Sequence, residues 1–364
     1  MSLTTPRPRA MGIPRRLLGS QLVDTLVGPH GIDRYLELIR PDLTLHDARG
    51  EVTAVRRQTA RSVTLTLRPN SAWRGFRAGQ FVRVGVEIDG VRRTRTYSPA
   101  CSAARSDGQL ELTVTVHQEG VVSRHLYAHA RPGMILHLGT AQGEFVLPAQ
   151  PPERLVLISG GSGITPVLSM LRTLCDQGHD GPVAFMHYAR TAADWLYREE
   201  VQALARRHPN LRSAYLATRE GDARVCADAI TAMIGPLEGA VAAVCGPPRL
   251  IDAVRSLWPD PGEVLAETFT PPALTVTGAA ANGTLRFLRS EQAVAIGEGT
   301  LLEQAEAAGL SPEFGCRMGI CHTCTCRKAA GAVQNILTGE VSEEEDEDIQ
   351  LCVSVPAGDV ALEI

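Results

Sequence analysis

The sequence predicts a multidomain chain: an antiparallel β-barrel, an α/β domain on a parallel sheet, and a small α+β domain around a cysteine-rich loop. Three observations carry this. Residues 49–150 contain short alternating runs cut by Gly, Pro, Asn and Asp turns. The middle of the chain alternates apolar strand runs with helical periodicity. The segment "EFGCRMGICHTCTCRK", residues 313–328, places four of the nine cysteines within eleven positions.

Composition sets the frame. A length of 364 residues exceeds one typical core, and 44% hydrophobic with 21% charged residues is the balance of a water-soluble globular protein. A net charge of -4 offers no basic field for nucleic acid. Lys328 is the one lysine and every other basic side chain is arginine, which reads as a compositional bias of the genome. Residues 1–48 form an arginine-bearing tail and helical segment without the apolar run of a secretory signal. The segment reads as a loose tail, with weak contact to anionic lipid as the alternative. A reducing, cytoplasmic setting follows as the expectation, with peripheral contact at a membrane surface. That argues against a disulfide framework.

In the barrel region, 49–150, strands are expected at "SVTLTLRP", "QFVRVGVEI", "LELTVTVHQ" and "MILHLGT". It contains "RTRTYSPACS", where an aromatic ring beside an arginine and a hydroxyl can hold a flat phosphorylated cofactor or simply end a surface strand. The next domain, 151–269, opens with "RLVLISGGSGITPVLSMLRTL": a strand, a glycine turn and a helix whose N-terminus can hold a pyrophosphate. Its G-G-x-G-x-T-P order differs from the G-x-G-x-x-G fingerprint and disfavours an ordinary Rossmann dehydrogenase. Strands are expected at "PVAFMHYAR", "RSAYLATRE" and "AVAAVCGPP", helices at "ADWLYREEVQALARRH" and "DARVCADAITAMI". Residues 270–282 have the composition of a linker. In the last domain, 283–364, "GTLRFLRSEQAVAI" reads as a hairpin, "GTLLEQAEAAGL" as a helix closed by Gly309, and "GDVALEI" as a final strand.

The cysteine spacing is selective. Cys316, Cys321 and Cys324 form C-x4-C-x2-C, with Cys352 28 positions on. Structural zinc needs a second close pair or partnered histidines, and a thioredoxin-type pair leaves two of these cysteines idle. The spacing matches a plant-type [2Fe-2S] site, three thiolates on one loop and the fourth from a distant segment. Gly315 and Gly319 let backbone N–H groups approach the sulfurs, and Cys326 is a spare thiol.

Taken in order, R95-T96-Y97-S98, "EGVVSRHL", "QGEF", G-G-x-G-x-T-P, "CGPP" and "ETF" resemble the ferredoxin-NADP reductase superfamily, and 283–364 resembles the β-grasp fold of plant-type ferredoxins. The fused order is similar to bacterial oxygenase and desaturase reductases. Within them it is similar to reductases that serve a membrane-bound stearoyl-CoA desaturase. The resemblance implies an antiparallel flavin barrel, an α/β nucleotide domain and a β-grasp ferredoxin domain. It implies FAD, NADPH and a [2Fe-2S] cluster as cofactors. It places Arg95 at a flavin phosphate, with Thr96 in the same motif, Tyr97 on the isoalloxazine and Ser98 near its reactive nitrogen. Gly120, Val121, Val122 and Ser123 would wrap the pyrophosphate, which favours FAD over FMN. Gly160, Gly161 and Gly163 would form the nucleotide turn, with Thr165, Pro166, Cys245 and Gly246 beside the nicotinamide. Phe269 would cover the flavin, although plant-type members end there with tyrosine and this chain runs on. Ser98, Cys245 and Phe269 are thus the residues at hydride transfer. Each has a plainer reading: Cys245 as a buried strand-end thiol, Phe269 as core, Ser123 as a helix N-cap.

Arg190, Thr218 and Arg219 stand where a 2'-phosphate would be met and favour NADPH, with Asp194 read as a helix-start residue. The expected activity is an NAD(P)H oxidoreductase that splits a hydride into single electrons for a protein acceptor. That acceptor is a desaturase, with a ring-hydroxylating oxygenase or a cytochrome P450 as the alternative. A redox sensor or an interaction module is the reading from another class. "EEEDED", residues 343–348, is either a solvated loop or a docking patch. A monomer is expected.

Overall fold

The computed structural model describes Thr44 and residues 46–118, 120–221, 224–269, 283–315, 317, 319 and 322–364. Most of the N-terminal segment and the whole of the expected linker lie outside the described residues. So do two expected cluster ligands, Cys316 and Cys321.

The first sheet is antiparallel, with strands β1 (Ala48–Thr59), β2 (Ser62–Pro69), β3 (Val82–Ile88), β4 (Val91–Tyr97), β5 (Leu110–Thr115) and β6 (Ile135–Leu138) in the order β4-β3-β6-β1-β2-β5. Alternation drives it: Val63, Leu65 and Leu67 of β2 and Val82, Val84 and Val86 of β3 share one closed core. An isolated bridge from Pro99 to Leu112 brings the two ends of the sheet together into a half-barrel. β1 and β4 were not among the expected strands. "VRRTRTY" has no apolar alternation, and β4 exists because β3 offers it a partner through the Val84–Arg95 register. Helix α1 (Val121–His129) inserts Val122 and Leu126 into the same core.

The second sheet is parallel, with β7 (Arg154–Gly160), β8 (Val183–Ala189), β9 (Leu211–Ala217), β10 (Ala240–Cys245) and β11 (Val264–Glu267) ordered β11-β10-β7-β8-β9. Helices cover both faces. Ile164 and Val167 of α2 (Ile164–Asp176) and Val201 of α3 (Arg198–Arg207) pack on one face. Ile230 of α4 (Ala227–Ile234) and Ile251 of α5 (Pro248–Leu257) pack on the other. The expected helix over "ADWLYREEVQALARRH" is shorter than its apolar pattern. A 3-10 turn occupies Ala192–Asp194 and Tyr197 takes φ 58°, so α3 begins only at Arg198.

That left-handed Tyr197 turns its ring toward the barrel. Its hydroxyl meets Thr64 Oγ1 at 3.0 Å and also Thr113 Oγ1. Beside it, Arg172 of α2 donates to Ala100 O at 2.7 Å and Glu111 Oε2 at 2.6 Å on the barrel, and to Glu200 Oε1 at 2.7 Å on α3. Burial disfavours the Arg172 charge, but Glu200 and Glu111 more than offset this and hold the guanidinium charged.

The third sheet is mixed: β12 (Thr284–Phe287), β13 (Gln292–Ala295), β14 (Thr325–Asn335), β15 (Val341–Ser342), β16 (Glu347–Gln350) and β17 (Ser354–Leu362). Its order is β13-β12-β17-β14-β15, with β16 on β14, and β12 runs parallel to β17. Helix α6 (Leu301–Ala307) opens with a capping box between Thr300 and Glu303 and packs Leu301 and Leu302 into the core. Lys328 has another role than composition suggested. It is 0% exposed, donates to Gly331 O at 2.7 Å and Ser342 O at 3.3 Å, and pairs with Glu347 Oε1 at 2.9 Å. Three acceptors around one ammonium suit lysine rather than the wider arginine fork. The end of the acidic run is accordingly strand β16, and only its start is loop.

The Arg172 network generates a stability prediction. Arg172→Met removes the centre of a partly buried ion cluster, leaving Glu200 without it and Glu111 with only the more distant Arg105 at 3.7 Å, at a cost of about 1–3 kcal/mol. Thermal unfolding of the variant should begin well below that of the parent chain; coincident transitions would show that the cluster contributes nothing.

Candidate functional site

Strand β4 ends at the expected cofactor motif. Tyr97 is largely buried, and its hydroxyl is pushed well above the ordinary tyrosine range by burial, so it stays neutral. Ser98 Oγ is buried without a hydrogen-bond partner. A buried hydroxyl left so costs about 1–3 kcal/mol unless a ligand completes it. Arg95 donates to Thr94 O at 2.7 Å, and its charge is disfavoured first by burial and then by Arg317. Arg93, Arg95 and Val121 line one cleft of about 1040 Å³, so β4 and the start of α1 converge on a single space. This donor set suits the phosphates of a flavin dinucleotide. Ser123 is not the helix N-cap. Gly120 holds that position, and Ser123 Oγ donates to Gly120 O at 3.1 Å and accepts from His117 N–H at 3.3 Å.

The glycine turn follows β7 as a 3-10 turn, Gly161–Gly163, leading into α2 with Thr165 and Pro166 buried in its first turn. Two close approaches explain the glycines. A Cβ on Gly163 would stand 2.2 Å from Cys245 O, and one on Gly160 would stand 2.8 Å from Pro247 Cδ. Gly161 has φ +56° with open space where its Cβ would be, as a cradle for a ligand backbone needs. Thr165 Oγ1 donates to Ser162 O at 3.3 Å and holds the turn closed. Sheet register and the turn together bring Gly160, Gly163, Thr165, Cys245 and Gly246 to one end of the parallel sheet.

Glu267, at the end of β11, was missed as a site residue, although "ETF" was read as a motif. It lies level with Cys245 in the register, and Cys245 Sγ stands 4.0 Å from Glu267 Oε2. Burial raises the carboxyl to about 8, and burial together with Glu267 raises the Cys245 thiol well above its ordinary range. Both groups therefore favour their uncharged forms near neutral pH, so this buried pair adds no fixed charge beside the glycine turn. Phe269, two residues on, packs on the same core that holds Cys245. Its burial alone fits either of the two readings.

Arg190 and Arg219 come together where β8 and β9 end. Arg219 N–H donates to Arg190 O at 3.0 Å, Thr218 Oγ1 to Ala189 O at 3.2 Å, and Arg190, Thr218 and Arg219 are exposed. Asp194 is occupied locally by Thr191 Oγ1 at 2.9 Å and starts no α-helix.

In the third domain Cys324 and Cys352 are buried side by side. Cys352 N–H donates to Cys324 Sγ at 3.4 Å, and Gly319 N–H donates to Cys352 Sγ at 3.3 Å. Backbone donors therefore point at sulfur, as a thiolate-ligated cluster requires. Gly319 has φ +75°, and a Cβ there would meet Leu337 at 2.8 Å, so the approach needs glycine. Cys326 lies beyond on β14, half-buried, its thiol raised to about 11 by burial and so kept protonated.

The comparisons agree with this geometry. Family models match an oxidoreductase FAD-binding domain at residues 51–147, an oxidoreductase NAD-binding domain at 157–256, and a 2Fe-2S iron-sulfur cluster binding domain at 287–357. An NADPH oxidoreductase of Mycobacterium tuberculosis is 36% identical over 343 residues, covering 91% of this chain and 88% of that protein. A glycine betaine monooxygenase reductase subunit of Pseudomonas aeruginosa is 30% identical over 325 residues, 79% of this chain and 87% of that one. Phthalate dioxygenase reductase, solved as a modular structure for electron transfer from pyridine nucleotides to [2Fe-2S], superposes with a TM-score of 0.61 at 21% identity, covering 87% of this chain and 98% of that one. Among the described residues no helix is long and apolar enough to cross a membrane. With three matched domains in this order and a relative 36% identical over 91% of this chain, the chain belongs to the ferredoxin-NADP reductase superfamily, as a flavoprotein oxidoreductase with a C-terminal [2Fe-2S] ferredoxin domain.

Proposed function

We propose that this reductase takes its electrons from NADPH, by way of FAD and the cluster, and delivers them to a membrane-bound fatty-acid desaturase acting on stearoyl-CoA. The observation that carries the relay is the conjunction of a buried, unpartnered Ser98 hydroxyl, three residues past Arg95 of the arginine-bearing cleft, with paired, backbone-solvated Cys324 and Cys352 sulfurs. When bound, a flavin accepts a two-electron hydride and passes electrons on singly. The chain's own residues supply geometry. Arg95 and the Gly120–Ser123 segment hold phosphate, Tyr97 and Phe269 face the ring system, and Ser98 hydrogen-bonds at its reactive edge. Thr165, Cys245 and neutral Glu267 frame the nicotinamide. Cys316, Cys321, Cys324 and Cys352 hold the cluster.

Arg190 and Arg219, adjacent and exposed at the strand ends, support NADPH over NADH. The desaturase assignment rests on the resemblance of the fused domain order and of the opening "RYLELIRPDLTLHDARGEV" to reductases of that kind. A second reading has its own support: relatives such as the glycine betaine monooxygenase and 3-ketosteroid-9-alpha-monooxygenase reductases are named for oxygenase systems. Stopped-flow reduction by NADPH and NADH, followed by mixing with a desaturase and with an oxygenase, separates the two. Faster reduction by NADH, or electron delivery to the oxygenase alone, would overturn the first reading.

Three outcomes follow. Cys324→Ser should leave NADPH-driven reduction of a dye that accepts from flavin nearly intact while abolishing delivery to the protein acceptor; loss of both activities contradicts the relay. The exposed acids Glu343, Glu344, Glu345 and Asp346 lie on the loop before β16 and can dock a basic acceptor surface. Reduction of that acceptor should then weaken steeply between low and high ionic strength, and a flat salt profile would make the run only a solvated loop. For Glu267 the folded carboxyl titrates at about 8 against an ordinary 4.5. A raised acid contributes stability that is complete below the unfolded value and lost as pH rises through the folded one. The melting temperature of Glu267→Gln should therefore gain on the parent from pH 5 to pH 8, whereas a constant offset would mean the carboxyl ionises normally.

A further inference from the structure

The ferredoxin domain touches the flavin barrel through a few named side chains, and one ring meets a guanidinium from each of the two domains. Phe314, two residues before Cys316, has the Arg317 guanidinium 3.9 Å from its ring centroid and the Arg95 guanidinium 4.9 Å from it on the barrel side. Both distances fall within the range of cation–π attraction. Arg317 is held for this role by a two-point ion pair to Glu306 on α6, with Nη1 to Oε2 at 3.0 Å. It does so in the left-handed region, at φ 59°, where backbone strain is tolerated only if the side chain is anchored. At the far end of the same loop, Arg83 Nη1 of β3 donates to Thr323 Oγ1 at 3.2 Å. The loop that contributes Cys316, Cys321 and Cys324 is thus attached to the barrel at both ends, by residues adjoining the outermost ligands.

We propose that Phe314 is a positioning residue: meeting both Arg95 and Arg317, it latches the cluster loop onto the flavin barrel and so sets the rate of electron transfer from flavin to cluster. The inference rests on the reading of this cleft as the flavin site and of the loop as the cluster site. No bond forms or breaks in the latch. It governs only how much of the time the loop is seated while one electron at a time leaves the reduced flavin for the oxidised cluster. Because Arg95 also faces the cleft, the arginine that meets phosphate meets the ferredoxin domain as well. The burial and Arg317 repulsion that disfavour the Arg95 charge would both be relieved by an anion there.

The test uses intact holoenzyme in single-turnover stopped flow with NADPH, following flavin and cluster absorbance separately. Phe314→Ala should keep the flavin-reduction phase and slow the flavin-to-cluster phase by roughly fivefold or more, the loss of one to two cation–π contacts. Phe314→Tyr should restore the rate. Phe314→Leu, apolar but without a π face, should not. Thr323→Val, which removes only the second attachment, should give a smaller slowing in the same phase. A second readout needs no turnover: protease cleavage in residues 270–282, which join the nucleotide and ferredoxin domains, should be faster in Phe314→Ala and normal in Phe314→Tyr. Equal flavin-to-cluster rates in the parent and Phe314→Ala, or full rescue by Phe314→Leu, would overturn the latch. Absence of flavin and iron from the parent protein would instead overturn the functional reading beneath it.

Discussion

Electrons cross between domains only if the domains are held in place, and between the barrel and the parallel sheet the hold is a guanidinium shared by both. Arg172 projects from the helix that follows the glycine turn, yet it satisfies a barrel carbonyl, a barrel carboxylate and a carboxylate on α3. The same helix sends Ser169 Oγ to Cys101 O at 2.7 Å, three residues past Ser98. The glycine turn and the strand end that carries Ser98 are therefore tied to one helix. A loose surface ion pair would contribute under about 1 kcal/mol and would not fix a stacking distance. A partly buried guanidinium shared among three acceptors costs more than that to disrupt and so favours a single arrangement.

Within that frame the site works by proximity rather than by charged groups. Gly163 and Gly246 let the turn and the end of β10 approach backbone to backbone, which leaves Cys245 and Glu267 facing a common space. Burial favours the uncharged form of each. The cleft between barrel and ferredoxin domain is instead lined by groups of both charges, Arg83, Arg92, Arg93, Arg95 and Arg317 with Asp47, Glu87, Glu306 and Glu313.

The ferredoxin domain meets a related demand with a different device. Of its expected ligands, Cys324 and Cys352 come from segments far apart in the chain, and β14 and β16 pair in register between them. Lys328 and Glu347 face each other across those strands, four residues after Cys324 and five before Cys352. An ammonium with three acceptors clips the pair from inside the fold. The acids that precede Glu347 are left to solvent, with Arg327 3.9 Å from Asp346 and 3.7 Å from Asp348.

Wherever apolar periodicity is itself the physical cause, the sequence alone determined the outcome. The β2, β3, β5 and β6 runs alternate because one face is buried. The β7, β8 and β10 runs are mostly apolar because both faces are covered, whereas edge strand β9 carries Arg212 and Ser213 and is only half-buried. Other features arise only from partners distant in the chain. β4 is a strand because β3 pairs with it, despite its arginines. Tyr197 halts the expected helix because its hydroxyl is drawn to Thr64 and Thr113. Glu267 becomes a neutral acid because β10 and β11 bury it beside Cys245, and Lys328 becomes a structural clip because β16 brings Glu347 over it. In each of these cases tertiary structure decided, since burial and pairing are properties of what surrounds a residue, and a linear order of residues does not contain its surroundings.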